Sequence, residues 1–428
     1  MTDRIEIQPT GPMNASIRPP GSKSITNRAL ICAALAKGTS ALRGPLDSED
    51  TRVMVESLRR LGIDVRFLDA GQTFTIRGCE GQAPVDRAEL FVGNSGTTVR
   101  FLTAALTTFT GQYRLDGVTR MRERPIGDLL DALHALGAEA VSEAGNDCPP
   151  VVMKAAGLRG GTAHVRGNIS SQFLSGLLMA CPNAQQDVTL IVDGELVSKP
   201  YVHMTRGVMS AFGVDIQEEH GLARFRVPAP SCYQAREYDI EPDASAASYF
   251  WGAAAITGGT VNVLGLNQSS LQGDVAFCEC LRQMGCRVSY EAKGTSVSGG
   301  PLQGINVNMN AISDTVQTLA AVSLFAKGTT TITGVAHIRH KETDRIADLA
   351  RELRKFGAEV RERDDGLQIT PGELRGAQVD TYDDHRMAMS LALPGLQIPG
   401  VVVKDPACTG KTYPRFFADL AFLGDTTC

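Results

Sequence analysis

The sequence predicts an α/β protein of two domains, each holding three copies of one repeating unit. Three observations carry this expectation. A five-residue pattern (apolar, two residues, apolar, Gly) recurs six times. Segments of alternating apolar and polar residues follow most copies. The chain, at 428 residues, is too long for one ordinary core and suits two or three domains.

The copies are "LRRLG" ending at Gly62, "LHALG" at Gly137, "MSAFG" at Gly213, "LRQMG" at Gly285, "LRKFG" at Gly357 and "LAFLG" at Gly424. Successive glycines lie 75, 76, 72, 72 and 67 residues apart. Apolar residues three or four apart share one helix face, and the Gly then supplies the left-handed conformation that ends the helix. "IDVRF" from Ile63, "VDIQ" from Val214, "CRVSY" from Cys286 and "AEVRE" from Ala358 alternate as strands do. A unit of roughly 70 residues has room for two helices and several strands. Six units suggest two domains of three, with a boundary in the stretch Arg236 to Ile256. The strand-like "RIEIQP" precedes the first full unit and fits either domain. No G-x-G-x-x-G follows a strand, so a Rossmann fold is not expected.

Composition sets further bounds. Hydrophobic residues make up 43% and charged residues 21%, so the chain is expected to fold as a soluble globule. A net charge of −5 argues against a general nucleic-acid binder. No secretory h-region and no run of 18 apolar residues is seen, so a cytoplasmic protein without a membrane span is expected. The ten cysteines are scattered and read as reduced thiols.

Cationic turns mark the first half. "PPGSKSITNRAL", Pro19 to Leu30, resembles the end of a P-loop, but Ser16 stands where that motif needs its first Gly. An anion site at a helix start remains open, with Lys23, Ser24 and Arg28 as donors; a solvated helix start is the alternative. "GNSGTTVR" offers two glycines, Gly93 and Gly96, for close backbone approach and Arg100 as a cation, with an ordinary helix entry covered by Arg100 as the alternative. "RMRERPIG" places Arg120, Arg122 and Arg124 within five residues, suited to carboxylate or phosphate, with a solvated charge run as the common alternative. "NISSQFLSG" groups Ser170, Ser171 and Gln172 at a helix start, where capping is the plain alternative. "VSKPYVHM" offers Ser198 and Tyr201 on a short turn.

The second half supplies acids. Asp314 in "NAISDTVQTLA" reads as a helix cap or as a catalytic carboxylate. "HIRHKETDRI" crowds Lys341, Glu342 and Arg345 at a helix start, where Glu342 reads as a dipole partner or a general acid or base. His337 and His340 are spaced H-x-x-H without the zincin Glu, so no metal is expected. "DDHRMAMS" brings His385 and Arg386, and "DPACTGKTYPRFF" brings Lys411 in a Gly-containing turn. An acidic protein that gathers cations in turns suggests a cleft for anionic ligands.

Taken in order, "PPGSKSITNRAL", "GNSGTTVRFL", "RMRERPIGDLLDAL", "SSQFLSGLLM", "VSKPYVHMT", "QGD" at Gln272–Asp274, "KETDRI", "DDHRMAM" and "DPACTGKTYPRFF" resemble the 5-enolpyruvylshikimate-3-phosphate synthase family across the whole chain. The resemblance implies a two-domain inside-out α/β barrel with six βαβαββ repeats, three per domain. It implies domains of 22–240 and of 1–21 plus 241–428, with the active site in the interdomain cleft. It implies a monomer without cofactor or metal, with shikimate 3-phosphate and phosphoenolpyruvate as its partners.

By the same resemblance, Lys23, Ser24, Arg28, Ser170, Ser171, Gln172, Ser198, Tyr201, Asp314, His337 and Lys341 bind shikimate 3-phosphate. Lys23, Gly96, Arg124, Gln172, Arg345, Arg386 and Lys411 meet phosphoenolpyruvate. Asp314, Glu342, Lys23 and His385 carry the chemistry, with Asp314 as base at the 5-hydroxyl and Glu342 exchanging the methylene proton. Two positions depart from the family pattern. His337 stands where some members carry Asn. Phe101 stands where many carry Pro or Leu, in a neighbourhood that in this family influences sensitivity to glyphosate, a competitor of phosphoenolpyruvate; Gly96 leaves room for that inhibitor and inhibition is expected, with a tilt of the adjacent helix by Phe101 as the counter-effect. The related transferase acting on UDP-N-acetylglucosamine is a rival, but its loop Cys is missing from "RMRERPIG". A non-catalytic anion-binding paralogue would be expected to lose Asp314, Glu342 or Lys411.

Overall fold

The structure, a computed structural model, describes residues 3–425. The chain divides into two compact units, one formed by the chain up to Pro20 together with the stretch from Glu241 onward, the other by Gly21–Ile240. Each has its own apolar core. Arg4–Ile7 pairs antiparallel with Val401–Lys404, and Asn14–Ile17 runs parallel to Thr260–Leu264. These pairings tie the N-terminal strands to the second half of the sequence.

Gly21–Ile240 holds three four-stranded sheets. Its helices are α1 (Lys23–Leu35), α2 (Glu49–Arg60), α3 (Gly96–Leu106), α4 (Gly127–Ala135), α5 (Ser171–Ala180) and α6 (Lys199–Ala211). The second repeat shows the pattern: strand Arg87–Phe91, α3, strand Thr110–Asp116, α4, then the strands Glu139–Ser142 and Val151–Ala156. The first two strands are parallel, and the last two pair antiparallel and join the sheet through the fourth. In the first repeat the parallel edge strand is Glu237–Asp239, from the far end of the unit.

The other unit holds α7 (Ala244–Thr257), α8 (Phe277–Gln283), α9 (Val316–Ser323), α10 (Arg345–Lys355), α11 (His385–Ala392) and α12 (Phe416–Asp425). Two of its sheets repeat the four-stranded order, while the third has three strands: Gln378–Val379, Val401–Lys404 and Arg4–Ile7. The sixth repeat is thus completed by the start of the chain instead of by a hairpin of its own.

Five of the repeated glycines behave as their pattern predicts. Gly62, Gly137, Gly213, Gly285 and Gly357 take φ of 80°, 92°, 82°, 110° and 99°, the left-handed conformation that closes a helix. The sixth differs: Gly424 lies inside α12, which runs to Asp425. "VDIQ" also shifts, since the strand begins at Gln217.

The first helix of each repeat is the inner one. All residues of α3, α7, α9 and α11 are buried. A helix apolar or small on every side has no solvent face to present. By contrast α2 and α10 are amphipathic, burying Met54, Val55 and Leu58 in one case and Ile346, Leu349 and Leu353 in the other. Among the described residues, no helix is long and apolar enough to cross a membrane.

Candidate active site

In Gly21–Ile240 the sequence-predicted residues gather at the starts of the inner helices. Ser22, Ser95 and Ser170 are the N-caps of α1, α3 and α5, each accepting a backbone N–H from its own helix. Neutral caps leave the positive end of the helix dipole available to an anion. Lys23 and Ser24 open α1, Gly96 opens α3, and Ser171 and Gln172 open α5. Ser198 sits at φ 54°, ψ 43°, a left-handed conformation costly for a non-glycine residue. Tyr201 belongs to the first turn of α6 and not to a loop, because Pro200 in that turn favours helix entry.

Cations are held in defined poses. Lys23 Nζ lies 3.7 Å from Asp50 Oδ2, a carboxylate buried in the first turn of α2. Arg28 is fully buried. Its Nε donates to Thr205 Oγ1 at 2.7 Å, Nη1 to the Ser24 carbonyl at 2.9 Å, and Nη2 to Ser175 Oγ and the Tyr201 carbonyl at 3.3 Å. Burial lowers its pKa to about 10, leaving it charged at neutral pH. The Phe101 ring lies 5.2 Å from the Arg28 guanidinium carbon, a cation–π contact. Phe101 is buried within α3, which runs unbroken from Gly96 to Leu106. Arg100 donates to Gln172 Oε1 at 2.6 Å and to the Pro125 carbonyl at 3.0 Å. Arg124 donates to the Asn94 carbonyl at 2.9 Å. Arg120 and Arg122 are elsewhere, paired with Glu123 and Asp116.

Gly96 makes this arrangement possible. A Cβ there would stand 2.4 Å from Arg124 Nη2 and 2.9 Å from Arg100 Nη1. Both are ends of flexible side chains, so Gly96→Ala should displace guanidinium groups without unfolding α3. For phosphoenolpyruvate, the ligand that the family resemblance implies at Arg124, the variant should show a KM about tenfold higher, the scale of a charged hydrogen bond. Its melting temperature should stay close to that of the parent. Steady-state kinetics and a thermal scan check both, and an unchanged KM would remove Arg124 from that implied role.

The second cluster lies in the other unit. Lys411 Nζ is 2.8 Å from Glu342 Oε1, and Arg345 Nη2 is 2.8 Å from Glu342 Oε2. Arg345 also binds Asp384 through Nε at 2.7 Å and Nη2 at 3.1 Å, and its Nη1 is 3.5 Å from Asp314 Oδ1. Arg386 donates to Asp314 Oδ2 at 2.7 Å and to the Asp314 carbonyl at 3.0 Å. Asp314 therefore does not cap a helix: it ends in a 3₁₀ turn, and Thr315 holds the cap position of α9. Glu342 precedes the Asp344 cap of α10 and pairs with side chains instead of the helix dipole. Lys411 ends the 3₁₀ helix Pro406–Lys411. His385 is buried at the start of α11, its Nδ1 3.8 Å from Asp384 Oδ1. His337 and Lys341 fall in and just after the 3₁₀ helix Ala336–His340. Burial, then the Lys341 charge, push the His337 pKa down to about 3, so its imidazole is neutral.

Sequence reasoning missed Asp50, Asp384 and Asp274 as individual residues. Asp384 carries the one local signal, an Asp just before a helix, and it caps α11 by accepting from Arg386 N at 2.8 Å. Asp274 of "QGD" is buried and accepts a short hydrogen bond from the Ser245 hydroxyl. Burial, then the Asp314 charge, push its carboxyl up to about 7. The folded protein thus keeps a proton that the unfolded chain sheds above about pH 4. Stability linked to that proton is complete below about pH 4 and is lost as pH rises through about 7. Asp274→Asn should remove the decline, gaining on the parent protein at pH 8 relative to pH 4.5. Melting temperatures across that range test it, and parallel pH profiles would refute it.

A family profile described as EPSP synthase (3-phosphoshikimate 1-carboxyvinyltransferase) matches residues 7–420. The 3-phosphoshikimate 1-carboxyvinyltransferase of Nostoc punctiforme is 47% identical over 417 residues, covering 97% of this chain and 98% of that protein. The protein of the same name from Marinomonas sp. is 46% identical, covering 96% and 97%. An EPSP synthase structure from Acinetobacter baumannii aligns with a TM-score of 0.83 at 24% identity, covering 99% of this chain and 98% of that one, which shows the fold. On this full-length agreement, the chain belongs to the EPSP synthase (3-phosphoshikimate 1-carboxyvinyltransferase) family.

Proposed function

We propose that this chain transfers the enolpyruvyl group of phosphoenolpyruvate to the 5-hydroxyl of shikimate 3-phosphate, releasing phosphate, in aromatic amino-acid biosynthesis. The observation that carries the proposal is the acid–cation cluster of Glu342, Asp314, Lys411, Arg345 and Arg386, in a chain with full-length family agreement. In the addition half, a proton joins the methylene carbon of phosphoenolpyruvate and the 5-hydroxyl oxygen bonds to the neighbouring carbon. That hydroxyl gives its proton to Asp314. In the elimination half, a proton leaves the new methyl group and the carbon–oxygen bond to phosphate breaks.

Glu342 handles the carbon-bound proton in both halves. Lys411, which touches it, can exchange a proton, whereas the Arg345 guanidinium stays protonated in water. Arg124, Arg345 and Arg386 suit the carboxylate and phosphate of phosphoenolpyruvate, since planar guanidinium matches both. Lys23, Ser24, Ser170, Ser171, Gln172, Ser198 and Tyr201 suit shikimate 3-phosphate, through the neutral-capped helix starts that favour anions. Arg28 joins them through its remaining N–H, four of its hydrogen bonds going to protein groups. Neutral His337, with Lys341, offers a hydrogen bond on the shikimate side. His385 supports Asp384 and Arg386 beside it.

Phosphate release should require both phosphoenolpyruvate and shikimate 3-phosphate. UDP-N-acetylglucosamine should not replace the acceptor. Release with the nucleotide sugar but not with the shikimate would overturn the assignment.

A further inference from the structure

The turn that delivers Asp384 and Arg386 to the cluster has an unusual backbone. The Asp384 N–H donates to the Thr381 carbonyl at 2.9 Å, closing a β-turn. Its two central residues, Tyr382 and Asp383, take φ of 55° and 54°. Two successive positive φ values mark the type I′ pattern, which ordinarily draws Asn and Gly. Asp tolerates this region, whereas a bulky Tyr is disfavoured there. Neither residue would choose the conformation by itself, so other contacts must hold it.

Those contacts come from α10. The Tyr382 hydroxyl donates to Glu352 Oε1 at 2.6 Å, and Glu352 Oε2 accepts the Asp380 N–H at 2.9 Å. Glu352 is fully buried, and its charge is balanced by Lys355 at 2.6 Å. Arg351 donates to the Tyr382 hydroxyl at 3.1 Å, with its guanidinium carbon 5.7 Å from the ring centre. Burial, then the Glu352 hydrogen bond, push the Tyr382 pKa up to about 12, so the hydroxyl keeps the proton it donates. Two turns earlier on the same helix, Arg345 grips Asp384. One helix therefore holds the strained turn at both ends, by Glu352–Tyr382 on one side and Arg345–Asp384 on the other.

We propose that Tyr382 and Glu352 are positioning residues, a latch that fixes the turn 381–384 and so sets Asp384 and Arg386 for phosphoenolpyruvate. The latch rests on the function proposed above, because its effect is read through Arg386. It touches neither substrate. Its loss should therefore fall on one KM and spare the acceptor.

The test uses the full chain with Tyr382→Phe and Tyr382→Asn. Phe keeps the ring and removes only the hydroxyl. The phosphoenolpyruvate KM should rise by about tenfold, the scale of one hydrogen bond to a buried charge. The shikimate 3-phosphate KM should stay within about twofold, with a similar melting temperature. Asn lacks the hydroxyl but adopts positive φ readily, so it should bring the phosphoenolpyruvate KM back to within about threefold of the parent. An unchanged KM in Tyr382→Phe overturns the latch. An equal rise in both KM values overturns it too, since that is general loosening. A Tyr382→Asn variant no better than Tyr382→Phe also overturns it, because the backbone would not be what the latch holds. Failure of the parent protein to turn over the two substrates would instead remove the proposed function, and the latch with it.

Discussion

Glu342→Gln is expected to lose roughly 100-fold or more in kcat, the scale of general acid–base catalysis. Gln matches Glu in shape, and its one amide oxygen can still accept from Lys411 or Arg345, which stand 2.8 Å from the two carboxylate oxygens, while its amide nitrogen faces the other cation. What it cannot do is take and return a proton. The phosphoenolpyruvate KM should therefore move much less than kcat. A second readout isolates the step: in deuterated water the parent protein should wash label into the methylene group of phosphoenolpyruvate, and the variant should not. Unchanged kcat with full label exchange would take Glu342 out of proton transfer and leave it as a tether for Lys411.

The electrostatic design of the two units explains why the acids sit where they do. Inner helices in Gly21–Ile240 begin with Ser22, Ser95 and Ser170, whereas α7 and α11 begin with Asp243 and Asp384. Serine caps satisfy N–H groups without cancelling the helix dipole, so they favour incoming phosphate. Aspartate caps cancel it. In that unit three carboxylates (Asp314, Glu342, Asp384) face three cations (Arg345, Arg386, Lys411). In the reaction proposed above, a substrate carboxylate or phosphate would compete with Asp314 and Glu342 for those cations. That competition would free the two acids as the anion arrives, when the proposed proton transfers require them.

Much of this was legible in the sequence because it is local. Five helix-ending glycines announced the repeat, since a left-handed residue after an apolar helix face is a short-range signal. The sixth misled because the same five letters also fit within a helix. Serine caps were readable for the same local reason. The pairs were not. Lys23 and Asp50 are 27 positions apart on the two helices of one repeat, and Arg345 and Asp384 are 39 apart in successive repeats, so only tertiary packing brings each pair together. The turn at Tyr382 gave no sign at all, because its residues contradict the usual turn chemistry and tertiary contacts impose its shape.

Arg345→Ala should be the most destabilising single change in the second cluster, at about 3–5 kcal/mol, the cost of removing one partner of a buried ion pair. Arg345 is 1% exposed and Asp384 is fully buried. Without the guanidinium, Asp384 keeps the Arg386 backbone N–H and the His385 ring 3.8 Å away against a charge cut off from water. Stability and catalysis can be separated here. Arg345→Met combined with Asp384→Asn removes both charges, keeps a side-chain oxygen to cap α11, and fills the guanidinium space with an apolar stem. Replacing both members of a buried pair is often close to neutral, so the double variant should recover at least half of the stability lost by Arg345→Ala in urea unfolding. Turnover should stay down by about 100-fold or more, because a preorganised cation aimed at developing charge is gone. If Arg345→Ala unfolds within about 1 kcal/mol of the parent, the pair is not a stability element. If the double variant regains turnover along with stability, the role of Arg345 is to hold the fold, and the charge that meets phosphoenolpyruvate must come from Arg124, Arg386 and Lys411.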